Sequence, residues 1–144
     1  MFADVQTGLR QTRIVLSSQM KILLAEDDAG IRELMTTVLT RSGIEVDAVG
    51  DGATALRQLR STAYEAVLLD LMLPRVNGFE VVRELRSASP RLLDRTIVVT
   101  AASEATLRDF DRSQVFALIR KPFDINDLLG TIASCTAAKA SHAM

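Results

Sequence analysis

The amino-acid sequence predicts an α/β domain built on a parallel sheet, and three observations carry that expectation. Four short apolar runs, Ile22–Ala25, Ala66–Leu69, Ile97–Val99 and Phe116–Ile119, are continuous rather than alternating, as in strands covered on both faces. Between them lie stretches with apolar residues at helical spacing. Strand and helix patterns alternate five times, which calls for parallel strands joined by right-handed crossovers.

The elements follow in order. After the first run, Ile31, Leu34, Met35, Val38 and Leu39 recur at helical spacing until Ser42-Gly43 stops them, and Asp28 stands where a helix cap is wanted. Ile44–Val49 alternates apolar and polar residues, the signature of a half-exposed edge strand. A second helix spans Ala53 to Arg60 with Asp51 as its cap. Phe79, Val82 and Leu85 mark a third, entered through a tight loop containing Pro74 and Asn77-Gly78. Ser103 to about Asp109 forms a short fourth helix. Asp124 caps a fifth, whose apolar stripe is Ile125, Leu128, Leu129 and Ile132; Cys135 continues that stripe and is assigned to the core.

The bulk properties narrow the class. A chain of 144 residues with 48% hydrophobic and 24% charged residues is an ordinary globular protein of one domain. Residues 1–19 show no sustained period and read as a mobile leader with a sticky patch at Ile14–Leu16; 20–136 form the domain; 137–144 read as a frayed tail. A net charge of −1 gives no electrostatic case for nucleic acid or an anionic membrane as direct partner. Cys135 is the only cysteine, so no intrachain disulfide forms. No apolar stretch is long enough to span a bilayer, and the first twenty residues lack a signal peptide's apolar block, so a cytoplasmic location is expected.

The polar residues that close the apolar runs carry the chemistry. The first run ends in Glu26-Asp27-Asp28, the next in Asp70, then Thr100, then Arg120-Lys121-Pro122. In an open parallel sheet these carboxyl ends line one edge, where ligands bind at the switch in strand order. Carboxylates are the ligands Mg²⁺ takes, and one of them can act as a nucleophile toward phosphorus. A hydroxyl donor and a lysine ammonium suit the charge on a transferring phosphoryl group. Asp28 is assigned to capping rather than to this set.

The stretches "KILLAEDD", "AVLLDLMLPRVNGFEVVRELR", "IVVTAAS" and "IRKPF", in that order, resemble the receiver domain of bacterial two-component response regulators, of the stand-alone chemotaxis type, over residues 21 to about 136. The resemblance implies a flavodoxin-like (βα)5 doubly wound fold with strand order 2-1-3-4-5. It implies that Asp70 is the phosphoacceptor, with Thr100 the switch hydroxyl and Lys121 the lysine before Pro122. It implies a Mg²⁺ (or Mn²⁺) site formed by Asp27, by Glu26 directly or through water, by Asp70, and by the backbone carbonyl of Met72. The donor would be a histidine kinase or phosphotransfer protein, the output a phosphorylation-dependent contact with another protein. On this reading the chain is a signalling receiver, not an enzyme acting on an external substrate. Like charges among Glu26, Asp27 and Asp70 cost stability, so Mg²⁺ is expected to stabilise the fold by mass action.

Two departures from the family pattern bear on the output. Leu118 stands where an aromatic switch residue is usual, with Phe116 expected on the same face two residues earlier. Ser113-Gln114 replaces the usual Gly-Ala step. These irregularities keep open an adaptor that binds partners without phosphorylation. A flavin-binding protein of the same fold is disfavoured, because "EDD" after the first strand repels a phosphate.

Overall fold

The structure, a computed structural model, describes residues 20–143, and their side chains as far as residue 137. The leader expected at 1–19 and the side chain of His142 lie outside the described residues. In chain order the elements are β1 (Lys21–Ala25), α1 (Ala29–Arg41), β2 (Glu45–Val49), α2 (Gly52–Ser61), β3 (Ala66–Leu69), α3 (Gly78–Ala88), α4 (Pro90–Leu93), β4 (Thr96–Thr100), α5 (Glu104–Leu107), a 3-10 turn at Arg112–Gln114, β5 (Ala117–Arg120) and α6 (Ile125–Ala143). The last helix therefore includes residues 137–143, set apart above as a tail.

The five strands form one sheet in the order β2-β1-β3-β4-β5, every pair parallel. This is the 2-1-3-4-5 order of the flavodoxin-like fold. Residues of β3 and β4 are all buried, as their unbroken apolar runs require. The alternating strand, β2, lies at one edge, and its polar residues Glu45 and Asp47 reach solvent or part-solvent there.

Successive strand residues point to opposite faces, so the core is split in two. On one side Leu23, Val67, Leu69 and Val98 pack with Ala55 and Leu59 of α2, Val81, Val82 and Leu85 of α3, and Leu107 of α5. On the other side Ile22, Leu24, Leu68, Ile97 and Val99 pack with Met35 and Leu39 of α1 and Leu128, Ile132 and Cys135 of α6. Cys135 is thus a core residue.

Three local expectations are corrected. Leu34 is 60% exposed rather than part of the α1 stripe. A turn of about 100° per residue swings it a quarter-circle away from Met35, which with Leu39 is buried against the sheet. The helix expected over 103–109 closes at Leu107. Beyond it Phe110 turns in against Phe79, ring centroids 5.7 Å apart in an edge-to-face pair, and Asp111 accepts hydrogen bonds from the Ser113 amide and hydroxyl. Such local side-chain bonds compete with helix propagation. Phe116 does not share a face with Leu118. The strand begins only at Ala117, so alternation does not extend to Phe116, which packs with the α6 side while Leu118 packs with the α2–α3 side.

Candidate functional site

Strand register decides what meets at the carboxyl rim. Ala25 is paired with Leu69, so the next residues, Glu26 and Asp70, emerge side by side. Leu69 is paired with Val98 and Thr100 with Arg120, which sets Thr100 and Lys121 on the same rim. Backbone bonds continue the ladder past the strands: the Glu26 amide donates to the Val49 carbonyl, the Asp70 amide to Ala25 and the Lys121 amide to Thr100, each at 2.9–3.0 Å.

The side chains converge accordingly. Lys121 Nζ donates to Glu26 Oε1 at 2.6 Å and to Asp70 Oδ2 at 2.9 Å. Thr100 Oγ1 donates to Asp70 Oδ1 at 3.0 Å, and the Met72 amide donates to the same oxygen at 3.0 Å. Thr100 Oγ1 in turn accepts from the Ala102 amide at 3.2 Å. Glu26 Oε2 accepts from the Asp28 amide. One carboxylate oxygen from each of Glu26, Asp27 and Asp70 lies within 4.8 Å of the others. Glu26 and Asp70 are buried, whereas Asp27 is exposed at the mouth. All the residues singled out from the sequence, Glu26, Asp27, Asp70, Met72, Thr100 and Lys121, therefore stand together. The peptide bond between Lys121 and Pro122 is cis.

The electrostatics follow from this crowding. Burial pulls the Lys121 pKa down, but its bonds to Glu26 and Asp70 and their charges outweigh burial and hold it above the usual lysine value. Lys121 is therefore a fixed cation between two carboxylates. Three carboxylates against one ammonium leave an excess of negative charge at a partly open rim, a donor set that fits a hard divalent cation taking oxygen ligands.

The loops are seated by close backbone approach. A Cβ on Gly52 would lie 1.7 Å from the Val76 carbonyl oxygen, and one on Gly78 would lie 2.4 Å from that of Asp70. The Gly78 amide donates to the Leu71 carbonyl, folding the loop after β3 over Asp70. Asn77 and Glu80 close a capping box on α3. Asp28 caps α1, its Oδ1 accepting from the Ile31 amide at 2.9 Å.

Two residues near the rim, Arg75 and Arg32, were not read from the sequence. Arg75, with φ +70°, pairs with Asp51 at 3.3 Å across the loops after β2 and β3. Arg32 donates to the carbonyl oxygens of Glu26 and Asp27. A cation in the opening turns of a helix runs against the helix dipole, and that was the available sign that Arg32 has a partner.

The family model of the response regulator receiver domain matches residues 22–133. A transcriptional regulatory protein CpxR homolog of Haemophilus influenzae is 33% identical over 126 residues, covering 84% of this chain and 52% of that protein. The DNA-binding response regulator MtrA of Mycolicibacterium paratuberculosis is 44% identical over 71 residues, 49% of this chain and 32% of its own length. Among solved structures, the response regulator TrrA of Thermotoga maritima, in complex with Mg²⁺-BeF, superposes with a TM-score of 0.72 at 29% identity, covering 81% of this chain and 99% of that one. The chain thus spans about half or less of the curated relatives named here. One expectation falls with this result. Exclusion of nucleic acid as a partner rested on net charge, but a relative is a DNA-binding regulator, and the charge of this chain speaks only for the residues it contains. Among the described residues no helix is long and apolar enough to cross a membrane.

Proposed function

The chain belongs to the response regulator receiver family, a signalling family, and from that premise we propose that Asp70 accepts a phosphoryl group from the phosphohistidine of a kinase in a Mg²⁺-dependent reaction. The observation that carries the reading is the convergence on Asp70: a lysine ammonium at 2.9 Å, a threonine hydroxyl at 3.0 Å, and two further carboxylates within 4.8 Å.

An Asp70 carboxylate oxygen forms the new P–O bond as the P–N bond to the donor imidazole breaks, the electron pair leaving with the imidazole nitrogen. Lys121 supplies a fixed positive charge for the phosphoryl oxygens, and Thr100 Oγ1, now donating to Asp70, is placed to donate to a phosphoryl oxygen instead. Asp27, Asp70, the Met72 carbonyl and Glu26, directly or through water, would hold Mg²⁺. When bound, the ion offsets the carboxylate excess and the charge of the incoming group. Met72 and Ala102, two residues beyond Asp70 and Thr100, offer no polar side chain to orient a water, so hydrolysis of the aspartyl phosphate is slow. Phosphorylation would alter how the protein meets its partner, in the cytoplasm where such kinases supply the group.

Incubation with acetyl phosphate and Mg²⁺, followed by intact mass, tests this. The wild-type protein gains one phosphoryl group and Asp70→Asn gains none; a wild-type protein that stays unmodified leaves only the phosphorylation-independent adaptor. The metal is tested separately. Millimolar Mg²⁺ raises the melting temperature of the wild-type protein, and a melt that does not respond removes the metal site.

A further inference from the structure

The acidic turn after β1 has a device that holds it from behind. Arg32 is the fourth residue of α1, and its Nη1 donates to the Glu26 carbonyl oxygen at 2.8 Å and to the Asp27 carbonyl oxygen at 3.2 Å. Those two carbonyls flank the Cα of Asp27, so one guanidinium fixes the peptide planes on both sides of it. The Asp27 side chain is exposed, and among the described residues no hydrogen bond or ion pair holds its carboxylate. What the structure holds in place at Asp27 is therefore the backbone that carries the side chain. Space for the guanidinium comes from a third segment: a Cβ on Gly50 would stand 3.1 Å from Arg32 Nη1 and 4.0 Å from the Glu26 carbonyl oxygen.

We propose that Arg32, seated in the slot left by Gly50, is a positioning residue that aims the Asp27 and Glu26 carboxylates at a divalent cation. This rests on the metal site proposed above. The grip also occupies the two carbonyl oxygens, leaving the carboxylates as the donors that the turn presents outward. Orientation of the ligands and simple electrostatics act on Mg²⁺ affinity with opposite sign. A cation beside a Mg²⁺ site repels the metal, so deleting its charge alone should tighten binding. Deleting a group that orients the ligands should weaken it, by about tenfold at the lower end of what lost outer partners cost a metal site.

Melting temperature against Mg²⁺ concentration on the full chain decides between them. Arg32→Met is expected to raise the apparent Mg²⁺ dissociation constant about tenfold, on a background whose melt without Mg²⁺ is lowered by the loss of its two bonds to carbonyl oxygens. Gly50→Ala keeps every charge but crowds the guanidinium, and is expected to weaken Mg²⁺ in the same direction by a smaller factor. Mg²⁺ binding to Arg32→Met as tight as, or tighter than, wild type overturns the proposal. If Arg32→Met does not fold, Gly50→Ala carries the test, and Mg²⁺ binding equal to wild type overturns it. A wild-type protein whose melt ignores Mg²⁺ removes the metal reading itself and this inference with it, an outcome distinct from a variant that fails to differ.

Discussion

The two ends of the sheet treat charge in opposite ways. At the amino end, Lys21 lies 3.6 Å from Glu45 and 3.7 Å from Asp47, and the Tyr64 hydroxyl donates to Asp47 at 2.6 Å. Arg95 donates to the Tyr64 carbonyl oxygen at 3.0 Å. There each carboxylate meets a donor, and the network ties the start of β1 to β2 and the approach to β3. At the carboxyl end three carboxylates crowd together, but one ammonium pairs with only two of them, Glu26 and Asp70, and the third, Asp27, stands exposed outside that pairing. A satisfied polar network holds a fold together, while an excess of one charge in a confined place lowers stability until a ligand of opposite charge arrives. The contrast is a reason, independent of any relative, for proposing the carboxyl rim as the working end.

Removing the shared cation should produce the largest effect. Lys121→Met leaves Glu26 and Asp70, with side chains only 3% and 5% exposed, side by side without a counter-charge. Breaking one partner out of a buried ionic cluster costs about 3 kcal/mol. Urea unfolding should show that loss, and millimolar Mg²⁺ should recover much of it. A loss below about 0.5 kcal/mol, the range of a neutral surface change, would mean that the rim tolerates its charge excess and the contrast between the two ends is empty.

The amino end should respond without any change in function. Tyr64→Phe deletes a hydrogen bond to a carboxylate and should cost about 2 kcal/mol, while phosphoryl uptake from acetyl phosphate stays at the wild-type rate. Alkaline pH gives a second reading of the same bond. Burial, followed by the bond to Asp47 and its charge, pushes the Tyr64 pKa up to about 12. A folded pKa above the unfolded value, about 10, gives stability that is complete below pH 10 and lost as pH rises toward 12. Lys121 also has a raised pKa, so its contribution falls in the same direction above its ordinary value. Unfolding midpoints measured from pH 8 to 11 should fall for the wild-type protein and fall less steeply for Tyr64→Phe. Equal slopes would place the alkaline loss elsewhere.

The same contrast explains what the sequence could and could not reveal. Glu26, Asp70 and Thr100 directly follow apolar runs and Lys121 comes one residue after Arg120, so parallel strands alone bring the four to one edge. The run marks the strand, and the strand's end marks the site. The amino-end network has no such marker. Tyr64 and Asp47 are 17 residues apart and on no common period. Arg32 reaches backbone carbonyls, which any residue could supply, so no side-chain pattern records its partners. Phe116 and Leu118 diverge because the strand starts one residue later than its apolar run, and a shift that small changes the face. Leu34 fits a helical count, but whether a stripe's flank is covered depends on how far the sheet extends.

The smallest effect falls on Asp28, which sits within the acidic run yet is assigned to helix capping. Its Oδ1 accepts from the Ile31 amide at 2.9 Å, so Asp28→Ala should cost about 1 kcal/mol. Its link to the rim runs through its own amide, which lies 3.1 Å from Glu26 Oε2 and survives the substitution. The Mg²⁺-induced rise in melting temperature and the phosphoryl uptake should therefore match wild type on a slightly less stable background. If Asp28→Ala instead weakened Mg²⁺ as strongly as Asp27→Ala, the rim would hold four working carboxylates rather than three, and the boundary between helix cap and site would have to move by one residue.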